Sequence, residues 1–279
     1  MRITRSPQPS LRPFVKMLWA VDQQVEQPLA PGMREHILPT GEMHLVFRLS
    51  GQPLCLFEGA ADLRGHRIGQ AVVGGARSTF YIKDITRPSC SVGAMLRPGA
   101  AELLFDATAD DLAQRHTRLD ELWGRAAHLA HEQLLEAGRL EQQLAILETL
   151  LASRLPVVRG LHPAIAYALE HFETSGSVHA VVQHSGYSHR HFIDLFQRAV
   201  GLTPKVYGRV RRFQKALQHA ALDGTPSWAA LALEVGYSDQ AHFNRDFLKF
   251  AGVTPTAYRQ IAPTSPSHVV LSSLGRICS

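Results

Sequence analysis

Residues 186–207 read GYSHRHFIDLFQRAVGLTPKVY, and residues 236–258 read GYSDQAHFNRDFLKFAGVTPTAY. With one residue inserted in the second stretch, ten pairs are identical: Gly186/Gly236, Tyr187/Tyr237, Ser188/Ser238, His191/His242, Phe192/Phe243, Phe196/Phe247, Gly201/Gly252, Thr203/Thr254, Pro204/Pro255 and Tyr207/Tyr258. Self-similarity of this kind marks a duplicated supersecondary unit. Each copy has the grammar of a helix-turn-helix. In the second, Thr225-Pro226-Ser227 supplies a helix start with Ser227 as its cap. Trp228, Leu231 and Val235 form an apolar stripe around the small Ala232. Gly236 ends that helix where a left-handed backbone is needed, which glycine adopts without a Cβ clash. Ser238 is expected to cap the next helix, with Phe243, Phe247 and Phe250 inward at helical spacing. The first copy repeats this with Val178, Val181 and Val182 before Gly186, then Phe192, Leu195 and Phe196 inward.

The outward residues suit nucleic acid. In the first copy they are His189, Arg190, Ile193, Asp194 and Gln197; in the second they are Gln240, Ala241, Asn244, Arg245 and Lys249. His191 and His242 open the same two helices and complete the expected DNA-binding set. Arginine and asparagine match base edges in the major groove, so Arg190 and Arg245 are expected to read bases, with Asn244, Gln240, His242 and His189 assisting. Lys205, Arg209, Arg212 and Lys249 are expected nearer phosphates. Asp194 can accept from cytosine N4 or repel phosphate. As one helix, residues 205–222 would span about 27 Å at about 1.5 Å per residue. With the flanking motifs, the two reading helices would then sit about 34 Å apart, one turn of B-DNA.

The stretch from about 160 to 261 resembles the AraC/XylS family of transcription regulators. WAALALEVGYSDQAHFNRDFLKFAGVTPTAYR (228–259) carries the resemblance most specifically, and GLTPKVYGRVRRFQKAL (201–217) follows it less closely. The first motif departs at Val182, where alanine is preferred. The resemblance implies seven helices holding two helix-turn-helix units, sequence-specific binding of double-stranded operator DNA, and activation more often than repression. A small-molecule effector, RNA polymerase and a second copy of the chain are the other partners it implies. ILPTGEMHLVFRL (37–49), GAMLRPGAAELLF (93–105) and LDELWG (119–124) resemble the sensor domain of one branch of that family, which implies a small cupin-like β domain followed by helices.

The first hundred residues support this independently. HLVFRL (44–49) and PLCLF (53–57), joined by Ser50-Gly51-Gln52, read as a hairpin. AVV (71–73), TFYIKDI (79–85) and SVGAML (91–96) are further strands between Gly and Pro breaks, as in a small antiparallel barrel or sandwich. Residues 119–155 are helical in pattern. Leu140, Leu144, Leu147 and Leu151 share one stripe, for packing within the domain or for a dimer seam. The expected class is α+β: an antiparallel β-barrel-like domain with helices over 1–156, an all-α domain with two helix-turn-helix motifs joined by a long helix over 160–261, and a flexible tail over 262–279. Pro156 to Pro163 reads as the linker.

Composition narrows the alternatives. At 279 residues, with 45% apolar and 19% charged residues, the chain is long enough for two domains with real cores. The net charge of +5 and pI of about 9.3 suit an anionic partner without requiring one. Three cysteines, Cys55, Cys90 and Cys278, lack the spacing of a disulfide framework or a zinc site. There is no apolar run of membrane-spanning length and no secretory signal, so the chain is expected in the cytoplasm. No Gly-x-Ser-x-Gly, phosphate-cradling glycine loop or Cys-x-x-Cys points to catalysis, so no cofactor and no enzyme activity is expected. The alternatives are a cupin-like metal enzyme built on Glu35, His36, Glu42 and His44, whose spacing departs from such a site, and a protein-interaction module in which the repeat is structural only.

Overall fold

The computed structural model describes residues 1–22, 32–59, 61–87, 89–155, 161–173, 177–221 and 227–271. Nine strands come first: β1 (Arg2–Arg5), β2 (Val15–Asp22), β3 (Arg34–Ile37), β4 (Met43–Arg48), β5 (Cys55–Phe57), β6 (His66–Arg67), β7 (Ala71–Gly74), β8 (Tyr81–Asp84) and β9 (Cys90–Leu96). Then come α1 (Ala100–Phe105), α2 (Ala109–Leu112), β10 (His116–Arg118), α3 (Leu119–Trp123), α4 (Arg125–Glu136) and α5 (Leu140–Arg154). The second half holds α6 (Pro163–Glu173), α7 (Val178–Ser185), α8 (His189–Val200), α9 (Pro204–Ala220), α10 (Trp228–Glu234), α11 (Gln240–Ala251) and α12 (Pro255–Ile261), followed by β11 (His268–Leu271).

The strands form two antiparallel sheets, β1-β2-β9-β4-β7-β10 and β11-β3-β8-β5-β6. Alternation along β4 explains the layering. Met43, Leu45 and Phe47 are buried on one face, where Phe47 lies beside Trp123 of α3 and His131 of α4, while His44, Val46 and Arg48 line the space between the sheets. Gly93 on β9 is required by this packing, because a Cβ there would lie 2.5 Å from the Trp19 ring and 2.6 Å from the Leu45 carbonyl oxygen. Leu140, Leu144, Leu147 and Leu151 are buried on α5 against β2 and β9, so their stripe packs within its own half.

The α+β class holds, and two expectations about its parts are corrected. HLVFRL and PLCLF do not form a hairpin: both flanks of β4 are taken by β7 and β9, and β5 pairs with β8 and β6 in the other sheet. The tail is not loose over its first ten residues. Val269 is fully buried, β11 pairs with β3 from His268↔Ile37 to Leu271↔Arg34, and the Tyr258 hydroxyl donates to the Pro266 carbonyl at 2.7 Å. Residues 272–279 lie outside the described residues, as do 156–160 of the expected linker and Thr225-Pro226 of the expected helix start.

Glu35 pins this last strand. Its carboxylate accepts from Lys83 Nζ at 2.7 Å and from His268 Nδ1 at 3.1 Å. Burial pushes the Glu35 carboxyl up, but the His268 hydrogen bond and the Lys83 charge more than offset it, and it titrates at about 2 instead of 4.5. A depressed carboxyl contributes stability that is complete above its unfolded pKa and is lost as pH falls through the folded one. The wild type should therefore melt above Glu35→Gln near neutral pH. The gap should narrow from about pH 4.5 downward; a gap independent of pH would remove this pair from the strand's stability.

Candidate nucleic-acid interface

Among the described residues the second half holds seven helices that contain both repeats, and the shared Phe192, Phe196, Tyr207, Phe243, Phe247 and Tyr258 are interior. Phe192, Phe196, Phe213, Phe243 and Phe247 are fully buried, each burial worth about 1.5–3 kcal/mol. The repeat also reproduces ring geometry: Phe196–Tyr207 and Phe247–Tyr258 are edge-on pairs at 5.6 and 5.4 Å. Thr203 and Thr254 cap α9 and α12, each followed by Pro204 or Pro255 at the first helical position, where a missing N–H costs nothing.

Each recognition helix begins at a matched point. Ser188 caps α8 by accepting from the His191 N–H. In the second unit the cap is Asp239, not Ser238, and it accepts from the His242 N–H at 2.7 Å. The cap must lie three residues before the bonded N–H. The extra residue of the second copy therefore moves the cap from serine to aspartate while His191 and His242 keep the same place. Gly186 and Gly236 have φ of 71° and 87°, the left-handed turns the motif requires.

The first turns of both helices are bare. His189, Arg190 and His191 are exposed at the start of α8, as are Gln240 and Ala241 on α11; Asp194, Asn244, Arg245 and Lys249 are exposed further along. Ile193 and His242 are half-buried, and His242 Nδ1 lies 3.2 Å from Ser238 Oγ. Gln240, Asn244 and Arg245 border a shallow groove with Leu248, Thr254 and Thr256, which helical periodicity alone did not single out.

The opposite ends of the two helices are held by the N-terminal half. Gln197 Nε2 donates to Asp110 at 2.6 Å and Arg198 to Glu102 at 3.2 Å, so Gln197 serves as an anchor for α8. Repeat-related glycines make both contacts possible. A Cβ on Gly201 would lie 2.7 Å from the Ala109 carbonyl oxygen, and one on Gly252 would lie 2.5 Å from the Phe80 ring. Beside the second contact, His36 stacks on Phe80 and its Nδ1 lies 2.9 Å from the Ala251 carbonyl oxygen.

Two of the basic residues expected at phosphates also make contacts within the fold. Arg209 on α9 makes a two-pronged ion pair with Asp246, which is only 4% exposed on α11; the Nε contact is 3.1 Å. A buried carboxylate needs such a partner, so Arg209 is committed to it. Arg212 donates to the Gly236 carbonyl at 3.1 Å and lies over the Tyr237 ring, bracing the second turn. Lys205 is exposed. α9 itself runs 17 residues, Pro204–Ala220, between the two units.

The residues weighed as metal ligands are scattered. Glu35 is held by Lys83 and His268, His36 by Phe80 and Ala251, Glu42 by Lys16, and His44 faces the space between the sheets. Among the described residues no helix is long and apolar enough to cross a membrane.

Two capped, aromatic-cored helix-turn-helix units joined by one helix define a duplicated helix-turn-helix protein. Residues 181–261 match a family described as a helix-turn-helix domain, and residues 3–118 match a domain of unknown function, DUF6597. The MmsAB operon regulatory protein of Pseudomonas aeruginosa is 33% identical over 131 residues, 46% of this chain and 41% of that one. The arabinose operon regulatory protein of Salmonella typhimurium is 28% identical over 162 residues, 54% of this chain and 55% of that one. The matches thus span about half the length of these relatives. Among solved structures, ToxT from Vibrio cholerae aligns over 95% of this chain and 99% of its own at 9% identity and a TM-score of 0.45. The C-terminal domain of AraT from Geobacillus stearothermophilus aligns over 36% and 86% at 22% identity and a TM-score of 0.34. Residues 181–261 thus carry a helix-turn-helix domain and residues 3–118 a DUF6597 domain, and over about half its length the chain is similar to the MmsAB and arabinose operon regulatory proteins.

Proposed function

We propose that the chain is a sequence-specific DNA-binding transcription regulator, in which residues 160–261 bind an operator and residues 1–156 sense a small molecule. One observation carries the DNA-binding part. The two repeat-related helices are anchored by their C-terminal ends and leave Arg190 and Arg245 exposed in their N-terminal portions. Recognition helices contact base edges with that portion. Arg190, Asn244 and Arg245 would read bases, with Gln240, His189 and His191 beside them, and Lys205 and Lys249 would meet phosphates. His242, Ile193, Ala241 and Asp194 would shape the contact. The outward faces share no identical residue apart from the helix-opening histidines, so the two units would read different base sequences. Activation by contact with RNA polymerase and pairing with a second copy belong to the same proposal.

Selection of bound sequences from a random duplex pool by the full chain tests it. A bipartite site with half-sites one helical turn apart is expected; recovery of no common sequence would overturn it. Arg245→Ala should then cost about 1–3 kcal/mol on the selected site and relax selectivity at one position. Equal weakening on selected and random duplexes would assign Arg245 to phosphate instead.

A further inference from the structure

A cavity of about 1000 Å³ lies between the two sheets. Strand alternation builds its apolar wall, since Met17, Trp19, Val46 and Met95 stand on strand faces opposite the buried core. Its polar wall gathers Arg77, His116, Tyr81 and His44. Arg77 makes no ion pair among the described residues, and its Nε is buried without a hydrogen-bond partner. One of its terminal nitrogens lies 3.4 Å from His116 Nδ1, and its guanidinium sits 5.2 Å from the Tyr81 ring centre. A guanidinium only donates, so His116 Nδ1 is the acceptor and the ring is neutral, with its other nitrogen an N–H donor. Burial and the nearby Arg77 charge hold His116 in that form, with a pKa of about 3. Burial likewise raises the Tyr81 phenol, which stays a neutral hydroxyl. The carboxylates on the wall nearest these groups are committed elsewhere, Glu35 to Lys83 and His268 and Glu42 to Lys16.

The roof of the cavity comes from the far end of the chain. Ser265, Ser267, His268 and Val270 line it, directly after α12. Ser267 Oγ donates to Gln214 Oε1 at 3.2 Å on α9, and Gln214 Nε2 donates to the Pro39 carbonyl at 2.8 Å. The roof, the helix linking the two units and the first half therefore meet at one buried side chain.

We propose that the cavity binds a small organic monocarboxylate, with Arg77 as its counter-ion and residues 262–271 as a roof that reports occupancy to the second helix-turn-helix unit. A half-buried guanidinium whose buried N–H is unused matches a carboxylate fork, and a cation without an ion pair among the described residues calls for an anion. Arg2, Arg48 and Lys83 also line the cavity, but among the lining cations described only Arg77 has a buried N–H without a partner, and flanked by neutral donors it suits a single negative charge better than a phosphate dianion. The apolar wall suits a hydrocarbon body. The inference rests on the sensor role given to the N-terminal half and is independent of DNA binding. Loss of operator binding with carboxylate binding intact would sink the one and leave the other.

Calorimetric titration of the full chain with phenylacetate, hexanoate and benzoate, each beside its uncharged amide and beside inorganic phosphate, tests the site. At least one carboxylate should bind about tenfold or more tightly than its amide and than phosphate, as expected when a charged hydrogen bond is gained. Arg77→Met should bring that carboxylate down to the level of the amide. In the wild type, hydrogen exchange of residues 262–271 should slow with the carboxylate and not with the amide. Equal binding of acid and amide, tighter binding of phosphate, or no binding by any of the three acids would overturn the site without recourse to the variant. Unchanged exchange in 262–271 would overturn the roof.

Discussion

Arg209→Ala is expected to destabilise the folded chain by about 3 kcal/mol, the cost of stranding a buried carboxylate. Asp246 is buried on the inner face of α11, the second recognition helix, and the two-pronged contact from α9 supplies its main counter-charge. His242 Nε2 lies 3.9 Å away, too far to replace it. Arg209 also lies 5.4 Å from the Phe250 ring, so its stem and charge both tie α9 to α11. Chemical denaturation should show the loss as a lower midpoint with little change in slope. Replacing both partners, Arg209→Met with Asp246→Leu, should recover most of it, because removing a buried pair together is far less costly than halving it. A loss below about 0.5 kcal/mol in the single variant, the level of ordinary surface substitutions, would mean that the pair does not brace the unit.

Affinity for duplex DNA is expected to fall about tenfold between 50 and 200 mM salt. Arg190, Lys205, Arg245 and Lys249 are the exposed basic groups on the proposed surface. Of these, Lys205 and Lys249 are the pair proposed at phosphates, which gives a log–log slope of about −1.8, at about −0.9 for each counterion released. Lys205→Ala should make that slope shallower by about 1 and weaken all sequences alike. Arg209→Ala, measured where it is folded, should leave the slope unchanged, because its charge is engaged by Asp246. A flat response would exclude a phosphate-tracking surface, and a slope shared by Arg209 would return that residue to the DNA side.

The parts of the fold legible in the chain are those governed by neighbours within one or two helical turns. Phe192 with Phe196, and Phe243 with Phe247, announce an inner face by spacing alone, and Gly186 and Gly236 announce a turn that requires positive φ. Ser238 failed as a cap for an equally local reason: the inserted residue made Asp239 the side chain three positions before the bonded N–H. Strand pairing was harder. Ser50-Gly51-Gln52 has turn chemistry, yet the partners of β4 are β7 and β9, because pairing depends on which edge is free when the sheet assembles.

Charge roles were the least legible. Arg209 and Arg212 carry the same charge as Lys205 and Arg245, Gln197 is a polar side chain like Gln240, and nothing in the sequence pattern tells them apart. Only contact with Asp246, Gly236 and Asp110 separates braces and anchors from groups left free to meet a ligand. Arg77, Tyr81 and His116 carried no signal, since Arg77 lies between β7 and β8, Tyr81 opens β8, His116 opens β10, and the three share no motif.

The duplicated helix-turn-helix, its glycine turns and its aromatic interior were written in residues close together along the chain, where backbone sterics and helical period act directly. The grip of the N-terminal half on both recognition helices, the return of residues 268–271 to pair with β3, and the cavity they roof arise only when segments far apart in sequence are brought together. Long-range packing decides which side chains are used up in holding the structure, and only those left over can bind something else.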